Sequence, residues 1–360
     1  MSLLTEFCRI PTSGARAVEP FEVDGASWLA VPQLATDVPG TPADMNGGDS
    51  DTEVLLLRRA GSGYDVVAAL DAPGGEDTEF FSIDGRRFLA VASIRSGAGP
   101  YDYTTPSRLF EWSGDKFLPY QTFPGYAAKQ WRHLEIDGRH FLALAQGLAR
   151  PGQDAASRPS EIHEWNGSEF VPLQTVASAW GYNWHGFAVD GRPFLAHADH
   201  VEPSVLHEWD GSAFVPRQVL VEKAGRAFAD FTVEGTTYLL AACLLGPSRL
   251  LRWDGSAFVE HQVLDGPGAR EWAVVHGRSG LYVVRVNFIT GTPQAPNPQL
   301  DSQIYRWHDD RLEVVETFPT SGGTDVAVIE DPGGPLIAVS NALSPDVRFA
   351  VPSVIYRFSG

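Results

Sequence analysis

Two cysteines in 360 residues, Cys8 and Cys243, are too few for a disulfide framework. Lysine is nearly as scarce, since 24 of the 27 basic side chains are arginine, a bias that fits a GC-rich bacterial genome better than a function. Against them stand 45 acidic residues, leaving a formal charge of −18. A field of that sign repels phosphate backbones, so neither nucleic acid nor an anionic membrane is expected as a partner. No apolar run approaches the ~18 residues of a membrane span. The first residues, MSLLTEFCRI, lack the basic and long apolar regions of a secretory signal, which predicts a cytoplasmic protein. Nucleophile-elbow, P-loop, dinucleotide-binding and zinc-protease helix motifs are all missing, and no segment has helical periodicity to carry one.

What the chain does contain is a repeat. FFSIDGRRFLAVAS with SRLFEWSGDKFLPYQ, in the stretch 79–121, returns as HLEIDGRHFLALAQ with SEIHEWNGSEFVPLQ, as GFAVDGRPFLAHAD with SVLHEWDGSAFVPRQ, and as DFTVEGTTYLLAAC with SRLLRWDGSAFVEHQ. Each copy reads as four short alternating runs joined by two tight turns and one longer loop. Four strands per unit at this spacing predict a β-propeller.

Hairpin markers fix the count. Asp24-Gly25, Asp84-Gly85, Asp137-Gly138, Asp190-Gly191, Glu234-Gly235, His276-Gly277 and a looser Asp331-Pro332-Gly333 give seven units, because glycine tolerates the positive φ that a primed turn demands. Trp112, Trp165, Trp209, Trp253, Trp307 and, by position, Phe358 mark the second hairpin, with Arg59 in that slot of the first unit. The last copy stops before its fourth strand, and TEFCRIPTSG at 5–14 resembles KFLPYQTFPG at 116–125. The expected architecture is therefore an all-β, seven-bladed propeller, four antiparallel strands per blade, with the N-terminal strand completing the last one. As one domain over 1–360 its blades fall at about 15–71, 72–123, 124–176, 177–222, 223–265, 266–319, and 320–360 plus 3–14.

In such a meander the tight turns share one face and the variable loops the other. The longer loops lie at about 34–53, 94–107, 147–160, 200–204, 244–248, 288–302 and 342–353. Binding or catalysis is expected on that face.

The spaced pattern F-x-[IV]-[DE]-G-x-x-[FY]-L-A-x-A, the preceding Trp131 and Trp184, and the downstream [IL]-x-[ER]-W-x-G-x-x-F-x-x-x-Q resemble the EPTP family, also called the epitempin or EAR repeat. The resemblance covers nearly the whole chain and is strongest from about 78 to 262. It implies a seven-bladed propeller whose better-known members are secreted and bind other proteins. It also implies Asn just after the second strand, near a central channel able to hold a metal cation. Here that column reads Gln33, Ser93, Gln146, Asp199, Cys243, Asn287 and Asn341, so only the last two match.

Several side chains break the repeat. The polar column would ring the channel mouth, with Asp199, Asn287 and Asn341 as oxygen donors for a polar ligand or cation. Two positions earlier, His197 and Arg285 stand where other blades use Val31, Val91, Leu144, Ala241 and Val339. Blade four concentrates Trp180, Tyr182, Trp184, His185 and His200, a set that could stack on a ligand or supply a general base. Trp184 is also the repeat's own packing residue. Strand alternation puts His197 and Asp199 on one face and His200 on the other. His133, Asp230, Glu79, Arg132 and Glu271 lie on innermost strands, facing the channel or neutralising one another as a buried salt-bridge ring. His163 and His207 belong to a packing column.

Three functions compete. The first is a non-catalytic module binding a small molecule or protein at the loop-rich face. The second is an enzyme of hydrolase, lyase or cyclase type using His185, His197, His200 or Asp230 as acid or base. The third is a lectin-like binder stacking sugars on Trp180, Tyr182, Tyr101 and Tyr103. No motif calls for a cofactor, and metal ligands stay unassigned.

Overall fold

The Asp-Gly turns behave as their chemistry requires. Asp84 and Gly85 both take positive φ, 50° and 78°, and the pairs at 24–25, 137–138, 190–191 and 234–235 follow. A two-residue turn of this hand matches the twist of the strands it joins. Each therefore locks an antiparallel pair in register, as in Ile83 facing Arg86 and Phe81 facing Phe88. Blade six departs from expectation. Its first strand runs on through His276 and Gly277, and the reversal comes at Arg278-Ser279. In its second hairpin Asp309 and Asp310 do without glycine, at φ 48° and 60°, a conformation that Asp accepts more readily than most residues.

The computed structural model describes residues 2–149 and 158–360 and shows a seven-bladed β-propeller, with no helix among the described residues. Part of the loop expected at 147–160 thus lies outside the described residues. Blade two is typical, with strands Gly75–Ile83, Arg86–Ser93, Ser107–Trp112 and Phe117–Phe123 running from the axis outward. Prolines 119, 172 and 216 sit in outermost strands beside a register shift, where a missing N–H costs no ladder bond.

Blade seven takes three strands from the end of the chain, Gly323–Ile329, Leu336–Asn341 and Ser353–Phe358, and its fourth, Leu4–Ile10, from the beginning. Leu4 pairs with Phe358 and Ile10 with Ser353. Closure leaves no open sheet edge between the ends of the chain, the usual hazard of stacked β-structure.

The core lies between blades. Trp131 and Trp184, both fully buried, sit at corresponding places on the first strands of blades three and four. Trp131 packs with Phe123 and Leu109 of the blade before it. Burying an aromatic of this size contributes on the order of 3 kcal/mol.

Candidate functional site

The first strand of every blade has a neighbour on one side only, so its other edge presents unpaired N–H groups to the axis. Side chains of adjacent blades satisfy many of them. The Trp131 N–H donates to Asp77 Oδ2 at 3.0 Å, that of Val18 to Asp325 Oδ2 at 2.7 Å, that of Phe80 to Glu19 Oε1 at 3.0 Å and that of His133 to Glu79 Oε1 at 2.8 Å. Trp184 N–H finds Gln130 in the same way. Arg132 pairs with Glu79 at 3.1 Å. Instead of a closed ring of ion pairs, these acids are mostly backbone acceptors. Burial, then Glu79, pushes Glu19 up to about 8; burial, then Asp325, does the same to Glu271. Burial likewise raises Asp77 and Asp325. Among the described residues no three His, Cys, Asp or Glu side chains converge so as to hold a metal ion.

One layer above lies a different ring. At the start of each first strand, or a few residues before it in blades one and three, a small residue, Ala15, Gly75, Ala128, Gly181, Gly225, Ala269 or Gly323, precedes the side chain that turns inward. Smallness is required there: a Cβ on Gly225 would come 2.2 Å from Ser204 Oγ, and one on Gly75 2.7 Å from Pro32 Cβ. The register slips at this point in blades two, four, five, six and seven. Such a bulge re-aims the extra residue. The seven side chains so placed are Arg16, Glu76, Lys129, Tyr182, Arg226, Arg270 and Thr324, a collar of four cations around one carboxylate.

That carboxylate is taken. Glu76 meets Arg16 at 3.1 Å, and although burial opposes it, Arg16 and then Lys129, Arg270 and Arg95 hold its pKa below the usual range. The other three cations form no salt bridge among the described residues, although Glu76 lies near enough to act on Lys129 and Arg226. Lys129, 3% exposed, makes only a long 3.4 Å contact from Nζ to the Ala127 carbonyl oxygen. Burial brings it down to about 7, with Glu76 opposing and Arg16, Arg270 and Arg226 adding to the fall. Arg226, 4% exposed, has Nε and Nη1 buried without a hydrogen-bond partner. Burial lowers it to about 10. Arg226, Arg270 and Lys129 all lie over the Tyr182 ring, at 3.7, 4.8 and 5.8 Å from its centre.

Above the collar the loop-rich face forms a bowl of about 480 Å³, walled by Leu34, Ile94, Leu148, Leu244, Phe288 and Trp180. One flank is the hairpin Thr290–Thr292 with Ala295–Asn297. Another flank, around Met45 and Asn46, is strapped by Arg95, which donates to Ser50 Oγ at 2.9 Å and to the carbonyl oxygens of Asn46 and Gly47 at 2.6 Å each. Beneath the collar a polar cavity of about 250 Å³ follows the axis.

The residues singled out from sequence are dispersed. Trp180, Tyr182 and His200 meet in the bowl, with Trp180 stacked on Tyr182 and edge-on to His200. Burial, then Arg226, takes His200 down to about 4. His185 lies in the lower cavity with Nε2 2.8 Å from Asp230 Oδ1. His197 is enclosed between blades, its ring 4.2 Å from that of Trp184 and its Nε2 3.1 Å from Ser160 Oγ, and burial drops it to about 3. His133 stacks on Phe81 and meets His140 at 3.1 Å.

The polar column forms no ring at the mouth. Asp199 Oδ2 accepts from Ser178 Oγ and the Ala179 and Trp180 N–H groups, while Oδ1 accepts from those of Val201 and Glu202. Asn341 Oδ1 accepts from Ser321 N–H, and Asn287 Nδ2 donates to the Asp301 carbonyl oxygen. These side chains tie loops together. Arg285, fully buried, spends Nε on Asn287 Oδ1 at 3.1 Å and Nη1 on the Asp265 carbonyl oxygen at 2.9 Å.

Of the collar, sequence reasoning picked out only Tyr182. The signal for Arg16, Glu76, Lys129, Arg226 and Arg270 was a small residue, then a variable one, about three residues before the inter-blade aromatic or aliphatic.

The EPTP domain family matches residues 116–165. A "Thrombospondin-type laminin G domain and EAR repeat-containing protein" is 36% identical over 99 residues in Homo sapiens and 33% over 127 in Mus musculus, 27% and 34% of this chain. The matches cover only 14% and 17% of those proteins' own lengths. A "Peroxynitrite isomerase" of Renibacterium salmoninarum is 30% identical over 151 residues, 40% of this chain and 68% of that protein. A solved SapL1 lectin in complex with alpha methyl fucoside aligns with a TM-score of 0.49 and 11% identity, over 85% of this chain and 97% of that one. A repeat shared with EAR proteins, folded as seven closed blades, makes this chain a member of the EPTP, or EAR-repeat, family of β-propellers.

Proposed function

We propose that this propeller binds a small amphipathic anion at its loop-rich face, the apolar body seated in the bowl and the charged head on the collar. One observation carries the reading: Lys129, Arg226 and Arg270 converge on Tyr182 without a salt-bridge partner among the described residues, directly under an apolar wall. Buried cations left uncompensated are costly, and a ligand that supplies the charge recovers that cost on binding. A half-enclosed concavity lined by aliphatic and aromatic groups with a few converging polar ones suits a small molecule better than a protein surface. Gently purified protein examined by native mass spectrometry should carry a small acidic compound, and Arg226→Met should release it. Protein that is ligand-free and fails to bind any apolar carboxylate, sulfate or phosphate would overturn the reading.

The His185–Asp230 pair supports a second reading, as an enzyme. A carboxylate on one ring nitrogen orients an imidazole to act as a base with the other. The first substrate to assay is peroxynitrite, a compact anion and the one in the name of the Renibacterium relative. His185→Gln should then abolish turnover while leaving ligand binding in the bowl intact. Equal decay of peroxynitrite with and without protein would set that substrate aside.

A further inference from the structure

Granting that an anion occupies the collar, we infer that its head is a phosphate monoester: three terminal oxygens for three unpaired cations, two negative charges, and an ester oxygen that leads the apolar body up into the bowl. The count comes from the side chains. Arg16 and Glu76 form the collar's ion pair at 3.1 Å, which leaves Lys129, Arg226 and Arg270. None of the three has a carboxylate partner among the described residues, and the farthest of them is 5.8 Å from the centre of one aromatic ring. A carboxylate brings one negative charge to three cations and leaves two of them uncompensated, where a phosphate dianion leaves one. A phosphate monoester offers three oxygens in a tripod, each able to accept a charge-assisted hydrogen bond. Its second ionisation, near pH ~6, makes it largely a dianion at neutral pH.

Lys129 adds a second signature. Glu76, Arg16, Arg270 and Arg226 face its ammonium group, and with burial they leave it only partly protonated near neutrality. A dianion arriving at that nitrogen favours the ammonium form, so binding takes up a proton.

The experiment is calorimetric titration of the full chain at pH 7.5 with hexyl phosphate, hexyl sulfate, hexanoate and hexanol. Hexyl sulfate keeps the tripod but carries one charge, which separates geometry from charge. The expected order puts hexyl phosphate at least tenfold tighter than hexyl sulfate and hexanoate, with hexanol weakest. Its heat should also vary with the ionisation enthalpy of the buffer, a dependence lost in Lys129→Met. Arg226→Met should weaken hexyl phosphate at least tenfold and leave hexanol unchanged; should that variant fail to fold, the wild-type series decides alone. Hexyl sulfate or hexanoate binding as tightly as hexyl phosphate, with all three tighter than hexanol, would overturn the phosphate inference and leave the anion reading standing. No anion exceeding hexanol would overturn both.

Discussion

Gln121 holds both main-chain hydrogen-bonding groups of Phe170, donating from Nε2 to its carbonyl oxygen at 2.7 Å and accepting its N–H on Oε1 at 3.0 Å. Gln174 treats Phe214 in the same way, Gln218 treats Phe258, and Gln262 treats Leu312. One side chain thus stitches the outermost strand of a blade to that of the next. This explains why the repeat ends its second hairpin on Gln, whose amide carries donor and acceptor together.

Gln174→Leu should lower unfolding free energy by about 1–3 kcal/mol, since it strands the N–H and C=O of Phe214. Urea unfolding measures it. Gln174→Glu, which keeps the acceptor and loses the donor, should fall between the variant and the wild type. No change in midpoint for Gln174→Leu would show the stitch to be incidental.

Glu76→Gln should move stability and binding in opposite directions. Loss of the collar's one carboxylate leaves Arg16, 14% exposed at its side chain, unpaired, at a cost of about 3 kcal/mol. The same change strengthens the positive field on any anion, so hexyl phosphate should bind several-fold tighter to the folded fraction. Denaturation and calorimetry on one preparation read both, and a parallel loss in the two would refute the assignment.

Acidity should stabilise the channel. Glu19 and Glu271 stand at about 8 in the folded chain, above the usual 4.5. Between those values the native state holds more protons than the unfolded one, so this contribution is complete below about pH 4.5 and is lost as pH rises through about 8. Lys129, lowered to about 7, works oppositely, since its cost fades from pH 7 towards its unfolded value of 10.5. His133, His197, His200 and His207, all held below their usual 6.5, oppose this trend in acid and have finished titrating above about pH 6.5. Melting temperature should therefore fall between pH 6.5 and 8, and Glu271→Gln should flatten that fall. A variant with the wild-type slope would exclude Glu271 as a source.

Removing residues 2–10 should prevent a closed ring, because Ser353–Phe358 would lose its partner strand along its whole length. The truncated chain is expected to elute as aggregate and to melt without cooperativity. A monomer with an unchanged melting curve would show that closure contributes nothing.

The fold was legible because its signals are local and repeated: Asp-Gly turns, a spaced Trp, a terminal Gln, and a first strand homologous to a fourth one. Blade six shows the limit, since His276-Gly277 looked like a turn and proved to be strand. Chemistry was harder to read. His197, Arg285, Asp199, Asn287 and Asn341 drew attention as departures from the repeat, yet each completes a buried contact or a loop tie, and departure alone does not distinguish the two cases. The collar escaped notice because its seven members share a position and no residue type. Their common purpose exists only once the ring has closed and brings residues some 50 positions apart to one axis.

That ring has a bearing on how such a molecule changes over generations. Each blade contributes a single inward letter, Arg, Glu, Lys, Tyr, Arg, Arg or Thr, held by a small neighbour that is under separate constraint. Altering one letter rewrites a seventh of the word spelled at the axis and leaves the scaffold of the other blades undisturbed. A lineage built on this plan can pass from one guest to another by single exchanges, with no need to redesign a loop.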